Sequence, residues 1–124
     1  NESSTGSQIQ LGRYSRETGR TADIASNAQD QVVARVSTDN TRAFRVDYTI
    51  VRDAAVRHGT IMVTAHNSNS TLDSLSYCDD YAENLDTGVT LAVEQVTNSR
   101  AELKYSSTNT GLTGTLTYSI SHLA

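Results

Sequence analysis

The sequence predicts an all-β protein, an antiparallel β-sandwich of jelly-roll or Greek-key type built from seven to nine short strands. Three observations predict it. Apolar residues recur with period 2 in run after run, as in strands with one buried face, and no run sustains the 3.6-residue period of an amphipathic helix. Clusters of Ser, Asn, Asp and Gly punctuate those runs at short intervals, the spacing of an antiparallel sandwich. Hydroxyls dominate the composition, with 17 Thr and 15 Ser against one Phe and no Trp in 124 residues. Threonine suits a half-buried pleated surface, and serine suits turns.

The elements follow in chain order. NESSTGS (1–7) is polar and aperiodic and reads as a lead-in or linker, so the domain boundary is placed at residue 15, with a single β-sandwich over 16–124. Within the lead-in, Gln8 to Tyr14 is a possible short strand carrying Ile9 and Leu11. Thr21 to Ser26 reads as a strand with Ala22 and Ile24; a helix over Ala22–Gln31 competes, but its apolar residues are few and small. Val32, Ala34 and Val36 alternate in QVVARVS. The turn cluster STDNT (37–41) leads into the central hairpin, Ala43 to His66. There Phe44, Val46, Tyr48 and Ile50 share one face, and Ile61, Val63 and Ala65 share the matching face of the return strand. Asp53 and Gly59 are expected to bound the bend between them. After the polar loop NSNSTLDS (67–74), Leu75–Tyr81 forms a strand or arch and AENLDTG (82–88) a turn. Val89, Leu91 and Val93 then alternate, residues 97–100 turn, and Ala101, Leu103 and Tyr105 line the return. Leu116, Tyr118 and Ile120 mark the last strand, from Leu112 to about His122.

A chain of this length forms one domain that buries roughly two thirds of its unfolded surface, enough for a core without metal or disulfide. Cys78 is the only cysteine, which excludes an intrachain disulfide and fits folding in a reducing cytoplasm. Net charge is −4 and no Lys/Arg cluster stands out, so no nucleic-acid or anionic-membrane footprint is present; no apolar run is long enough for a membrane helix. There is no proline, the usual edge-strand guard, so exposed edges must be charged, bulged or paired with another chain.

Chemistry-bearing residues are sparse. Asp79, Asp80, Glu83 and Asp86 form the densest acidic cluster, but their spacing matches no calcium loop and reads as a solvated turn. His58, His66 and His122 lack partners at metal-ligand spacing, and no nucleophile elbow or phosphate loop occurs. No catalytic residue, metal or cofactor is therefore expected. Cys78, flanked by Tyr77 and Asp79, reads as a half-buried small side chain, since nearby carboxylates raise a thiol pKa. Tyr48, Tyr105 and Tyr118 fall on apolar strand faces. Tyr77 and Tyr81 flank a loop and can stack on a sugar ring, so the candidate glycan contacts are Asn67, Asn69, Tyr77, Asp79 and Tyr81.

Several segments together resemble the C-terminal domains of bacteriophage tail fibres and tailspikes: Asp47-Tyr48-Thr49-Ile50 with Arg52, Arg57 with Gly59-Thr60-Ile61, Asp79-Asp80-Tyr81, Gly88-Val89, Lys104-Tyr105, and Gly114-Thr115-Leu116 with Tyr118-Ser119-Ile120. The resemblance spans residues 42 to 123, and nothing in the first 40 residues matches it. It implies a non-catalytic attachment domain on a virion, folded in the host cytoplasm, assembled as a homotrimer with other virion proteins and able to meet a bacterial surface polysaccharide. A capsid decoration protein and a carbohydrate-binding module of a bacterial enzyme are the alternatives that the residues also fit.

Overall fold

The computed structural model describes residues 7–11, 14–38, 42–65, 75–97 and 100–123, the first two stretches only as backbone up to residue 18. Nine strands form within them: β1 (Ser7–Leu11), β2 (Tyr14–Ile24), β3 (Gln31–Ser37), β4 (Ala43–Arg52), β5 (Ala55–Ala65), β6 (Leu75–Glu83), β7 (Val89–Thr97), β8 (Arg100–Ser107) and β9 (Gly114–His122). They build two antiparallel sheets, one of six strands in the order β1-β2-β9-β4-β5-β6 and one of three in the order β3-β8-β7. The all-β sandwich expected from the sequence is thus observed. The boundary drawn at residue 15 falls inside β2.

The core forms where the alternating faces of the two sheets meet. Val46, Tyr48 and Ile50 of β4, Ile61 and Val63 of β5 and Leu116 and Ile120 of β9 pack against Leu91 and Val93 of β7 and Ala101 and Leu103 of β8, all buried. In β4 these residues alternate with Arg45, Asp47 and Thr49 on the other face, so a one-residue slip would invert the strand; the period-2 pattern fixes the register. Tyr105 and Tyr118 are buried with Tyr48, as their strand positions predict. A buried phenol needs a polar partner, and the Tyr105 hydroxyl accepts a hydrogen bond from the Ala25 amide at 3.0 Å.

Local geometry departs from the sequence reading in four places. The expected bend from Asp53 to Gly59 shrinks to the pair Asp53-Ala54, with Arg52 paired to Ala55. Asp53 takes a φ of 55°, a conformation Asp tolerates better than most residues, and Gly59 sits mid-strand opposite Tyr48. In β3 a bulge between Val32 and Ala34 breaks the expected face: Val33 packs on the core with Ala34, while Val32 is exposed. Over Ala22–Gln31, by contrast, the strand reading holds and the competing helix does not form; β2 ends at Ile24, and Asn27 and Asp30 both adopt positive φ. The strand expected over Leu75–Tyr81 is present and continues to Glu83 at the edge of the sheet, so Tyr77 and Tyr81 do not flank a loop and Asp79 does not sit in a solvated turn. Cys78 is exposed rather than half-buried, because it falls on the outer side of that strand opposite Met62.

A clamp closes one end of the sandwich. The buried Arg52 donates from Nε to the Leu112 carbonyl (3.1 Å), from Nη1 to the Thr87 carbonyl (2.9 Å) and Thr108 Oγ1 (3.3 Å), and from Nη2 to the Thr108 carbonyl (2.8 Å) and Thr110 Oγ1 (2.8 Å). All five guanidinium donors therefore hold the loops that follow β6 and β8.

Candidate functional site

The larger sheet outreaches the smaller, and the overhang is β6. Paired residues of adjacent strands point to the same side. Leu75, Tyr77, Asp79, Tyr81 and Glu83 therefore continue the inward-facing row set by Ala65, Val63, Ile61, Gly59 and Arg57 of β5. Cover ends abruptly along that row. Ile61 and Val63 are 0% and 2% exposed, whereas Tyr77 and Tyr81 are 43% and 50% exposed. Two aromatic rings are thus aimed toward the core side of a sheet but left open to solvent.

Arg57 organises this rim. It is 4% exposed and donates from Nη1 to the Val89 carbonyl of the smaller sheet at 2.7 Å, from Nε to the Tyr48 hydroxyl at 2.9 Å, and from Nη2 to Asp79 Oδ2 at 2.5 Å. The Tyr48 hydroxyl in turn donates to Asp79 Oδ1 at 2.7 Å. Both carboxylate oxygens are held, in the short range of charge-assisted bonds, while the Asp79 side chain stays 15% exposed. The guanidinium carbon lies 3.8 Å from the centroid of the Tyr81 ring and 5.5 Å from that of Tyr48, so Tyr81 is stacked on a fixed cation through one face.

Titration follows the packing. Burial and the hydrogen bond to Asp79 push the Tyr48 hydroxyl well above its ordinary pKa of 10.0, and the opposing pull of Arg57 does not cancel them. Burial alone would lower the Arg57 pKa, but its bonds and proximity to Tyr48 and Asp79 raise it instead. Tyr48 stays a neutral donor and Arg57 a cation at any physiological pH.

The rim can therefore present a rigid aromatic face beside a locked carboxylate that keeps free lone pairs. That is acceptor chemistry for hydroxyl groups next to a platform for apolar C–H faces. Of the residues named from the sequence, Tyr77, Asp79 and Tyr81 come together on β6; Asn67 and Asn69 lie outside the described residues. The acidic cluster is dispersed: Asp80 faces the opposite side from Asp79, Glu83 Oε2 accepts from the amide and hydroxyl of Thr87, and Asp86 Oδ1 accepts from the Gly88 amide. Among the described residues no group of three or more His, Cys, Asp or Glu is placed to hold a metal ion. His58 meets Thr49 Oγ1 through Nδ1 at 3.2 Å on the outer face, away from the rim. Sequence reasoning missed Arg57 and Gly59 by assigning both to the bend. The signal was available, since Ala55, Arg57 and Gly59 keep the period of Ile61 and Val63.

No family model matches this chain, and no curated protein matches it. In three dimensions the chain is similar to the tailspike protein of Acinetobacter baumannii phage AM24, with a TM-score of 0.41 and 12% identity, over 90% of this chain and 26% of that one. The chain thus spans about a quarter of the length of that tailspike.

Proposed function

We propose that this chain is a non-catalytic attachment domain of a bacteriophage tail fibre or tailspike, displayed on the virion, and that it meets a bacterial surface polysaccharide along the β6 rim. The observation that carries the reading is the fixed set of Tyr81 on Arg57 and Asp79 between Arg57 and Tyr48, open to solvent on a face that is otherwise core. A site whose side chains are already immobile loses little entropy on binding, which favours affinity for a polar, flexible ligand. Tyrosine adds contact area with only two side-chain torsions to freeze. The segments resembling fibre and tailspike domains contribute most of these residues: Tyr48, Arg57, Gly59, Asp79 and Tyr81. Self-association as a homotrimer, implied by that resemblance, is part of the reading.

Calorimetric titration of the domain with a panel of purified bacterial capsular and O-antigen polysaccharides tests the proposal. Binding by at least one of them, weakened about tenfold or more by Tyr81→Ala and by Tyr77→Ala with the unfolding midpoint near that of the parent, is the expected result. Full binding in both variants would remove the rim from the reading, and hydrolysis of a bound polysaccharide would overturn its non-catalytic part.

A further inference from the structure

The β6 rim is spaced for a chain of sugars. Tyr77, Asp79 and Tyr81 are alternate residues of one strand, on one side of the sheet. A rise of about 3.4 Å per residue sets Asp79 about 7 Å from each tyrosine and the two tyrosines about 14 Å apart. One pyranose ring covers one phenol ring and cannot span both. A ligand that uses the whole row therefore runs along β6, with one sugar on each tyrosine and another over Asp79. Tyr81 is the firmer platform, because Arg57 holds one of its faces and leaves the other open.

The strand edge supplies further polar partners. The Asn84 N–H donates to the Val56 carbonyl and the Ala65 N–H to the Arg42 carbonyl. With the observed registers, Ser76, Cys78, Asp80 and Ala82 are then the β6 residues that exchange bonds with β5. The N–H and C=O groups of Tyr77, Asp79 and Tyr81 consequently point to the open edge, which no strand pairs among the described residues. Main-chain amides can donate to sugar hydroxyls there, and the Asp79 carboxylate can accept from them. Charge excludes one class of ligand. β6 carries Asp79, Asp80 and Glu83 and no lysine or arginine. Arg57, the cation beneath Tyr81, is buried and already paired with Asp79. A uronate or phosphate laid over Asp79 would meet like charge with no base on the strand to offset it, whereas a hydroxyl meets an acceptor.

We propose, resting on the polysaccharide reading above, that the rim takes an uncharged polysaccharide about three sugar residues at a time and rejects polymers bearing uronate or phosphate groups. The tyrosines grip apolar sugar faces, and the carboxylate between them reads a hydroxyl.

Calorimetric titration of the domain with neutral and with acidic bacterial polysaccharides tests it, together with oligosaccharides cut from a neutral one that binds. Affinity for the fragments should rise about tenfold or more from the monosaccharide to the trisaccharide and then level off. Tyr77→Ala should flatten that rise while sparing the affinity for the monosaccharide, which sits on Tyr81. Acidic polymers should bind about tenfold or more weakly than neutral ones, and added salt, which screens repulsion, should narrow the gap. Asp80→Lys, at an exposed site on the other face of β6, should narrow it too and leave neutral binding unchanged. An acidic polymer that binds through Tyr81 as tightly as any neutral one overturns the ligand class. A monosaccharide that binds as tightly as the trisaccharide overturns the row, and both results leave the rim reading standing. If no polysaccharide of either kind binds, or if Tyr81→Ala binds as the parent does, the rim reading fails and this inference with it.

Discussion

The Tyr48 hydroxyl lies so close over Gly59 that a Cβ on that glycine would sit 2.7 Å from the phenolic oxygen and 2.7 Å from the Cβ of Tyr81. The side chain of β4 thus crosses the bare backbone of β5 to reach Asp79 on β6, and three strands are tied by one phenol. Gly59 is a channel for a side chain, not a turn residue. Replacing it with alanine must displace Tyr48, Tyr81 or both. Gly59→Ala is therefore expected to lower stability by about 1–3 kcal/mol, the usual cost of overpacking, seen as a lower denaturant midpoint at unchanged slope. A midpoint equal to the parent's would show that the ring is free to move.

Removing the phenolic oxygen alone should be costly in a different way. Tyr48→Phe leaves the space filled but takes a partner from Arg57 Nε and from Asp79 Oδ1. The expected loss is about 1–3 kcal/mol, the penalty for stranding buried polar groups. The parent should also lose stability in alkali. Because folding raises the Tyr48 pKa above its ordinary 10.0, the folded state holds a proton there that the unfolded state releases. The resulting stability is complete below about pH 10 and declines as pH rises above it toward the folded-state pKa. Denaturation from pH 8 to 11 should show that decline in the parent and a shallower one in Tyr48→Phe.

Arg52 supplies a test of loop anchoring beside the rim, since it holds the Thr87 carbonyl two residues before the Val89 carbonyl that Arg57 holds. Its five bonds reach Thr87, Thr108, Thr110 and Leu112, and the Thr108 amide bonds the Gly88 carbonyl beside it. Arg52→Met keeps the aliphatic stem but strands those acceptors. Stability should fall by about 3 kcal/mol, the upper end for a broken buried network, and hydrogen exchange should accelerate first at Thr108. Uniform acceleration across β4 and β9 instead would mean that the clamp is inseparable from the core.

The sandwich was legible because its strands obey one rule. Val46, Tyr48 and Ile50 and later Leu116, Tyr118 and Ile120 alternate without interruption, and burial of one face leaves a single register. The rim was half legible. Tyr77, Asp79 and Tyr81 stood out by type, and a strand or arch was legible over Leu75–Tyr81, but Asp79 interrupts the inward alternation of Leu75, Tyr77 and Tyr81, which hid the face they share. Arg57 and Gly59 hid because charge and glycine are turn signals in one dimension; only pairing with Tyr48 and Tyr81 shows why each is buried. The bulge at Val32–Ala34 and the order of strands rest on contacts distant in sequence, which local periodicity does not encode.

The Arg57–Asp79 pair allows stability and binding to be pulled apart. With side chains 5% and 15% exposed, it is close to buried, and breaking such a pair from one side leaves a desolvated charge. Asp79→Asn should cost about 3 kcal/mol, because Arg57 keeps its charge and loses its counter-ion. Replacing both at once, Arg57→Met with Asp79→Leu, should recover most of that loss, since well-packed apolar pairs often match buried ion pairs in stability. The double variant is then a folded domain whose Tyr81 has no cation beneath it and whose rim has no locked carboxylate. Denaturation should place it well above Asp79→Asn, and titration with a polysaccharide that binds the parent should find it inert. Binding that survived in the double variant would assign the pair to folding alone and move recognition to Tyr77 and its neighbours.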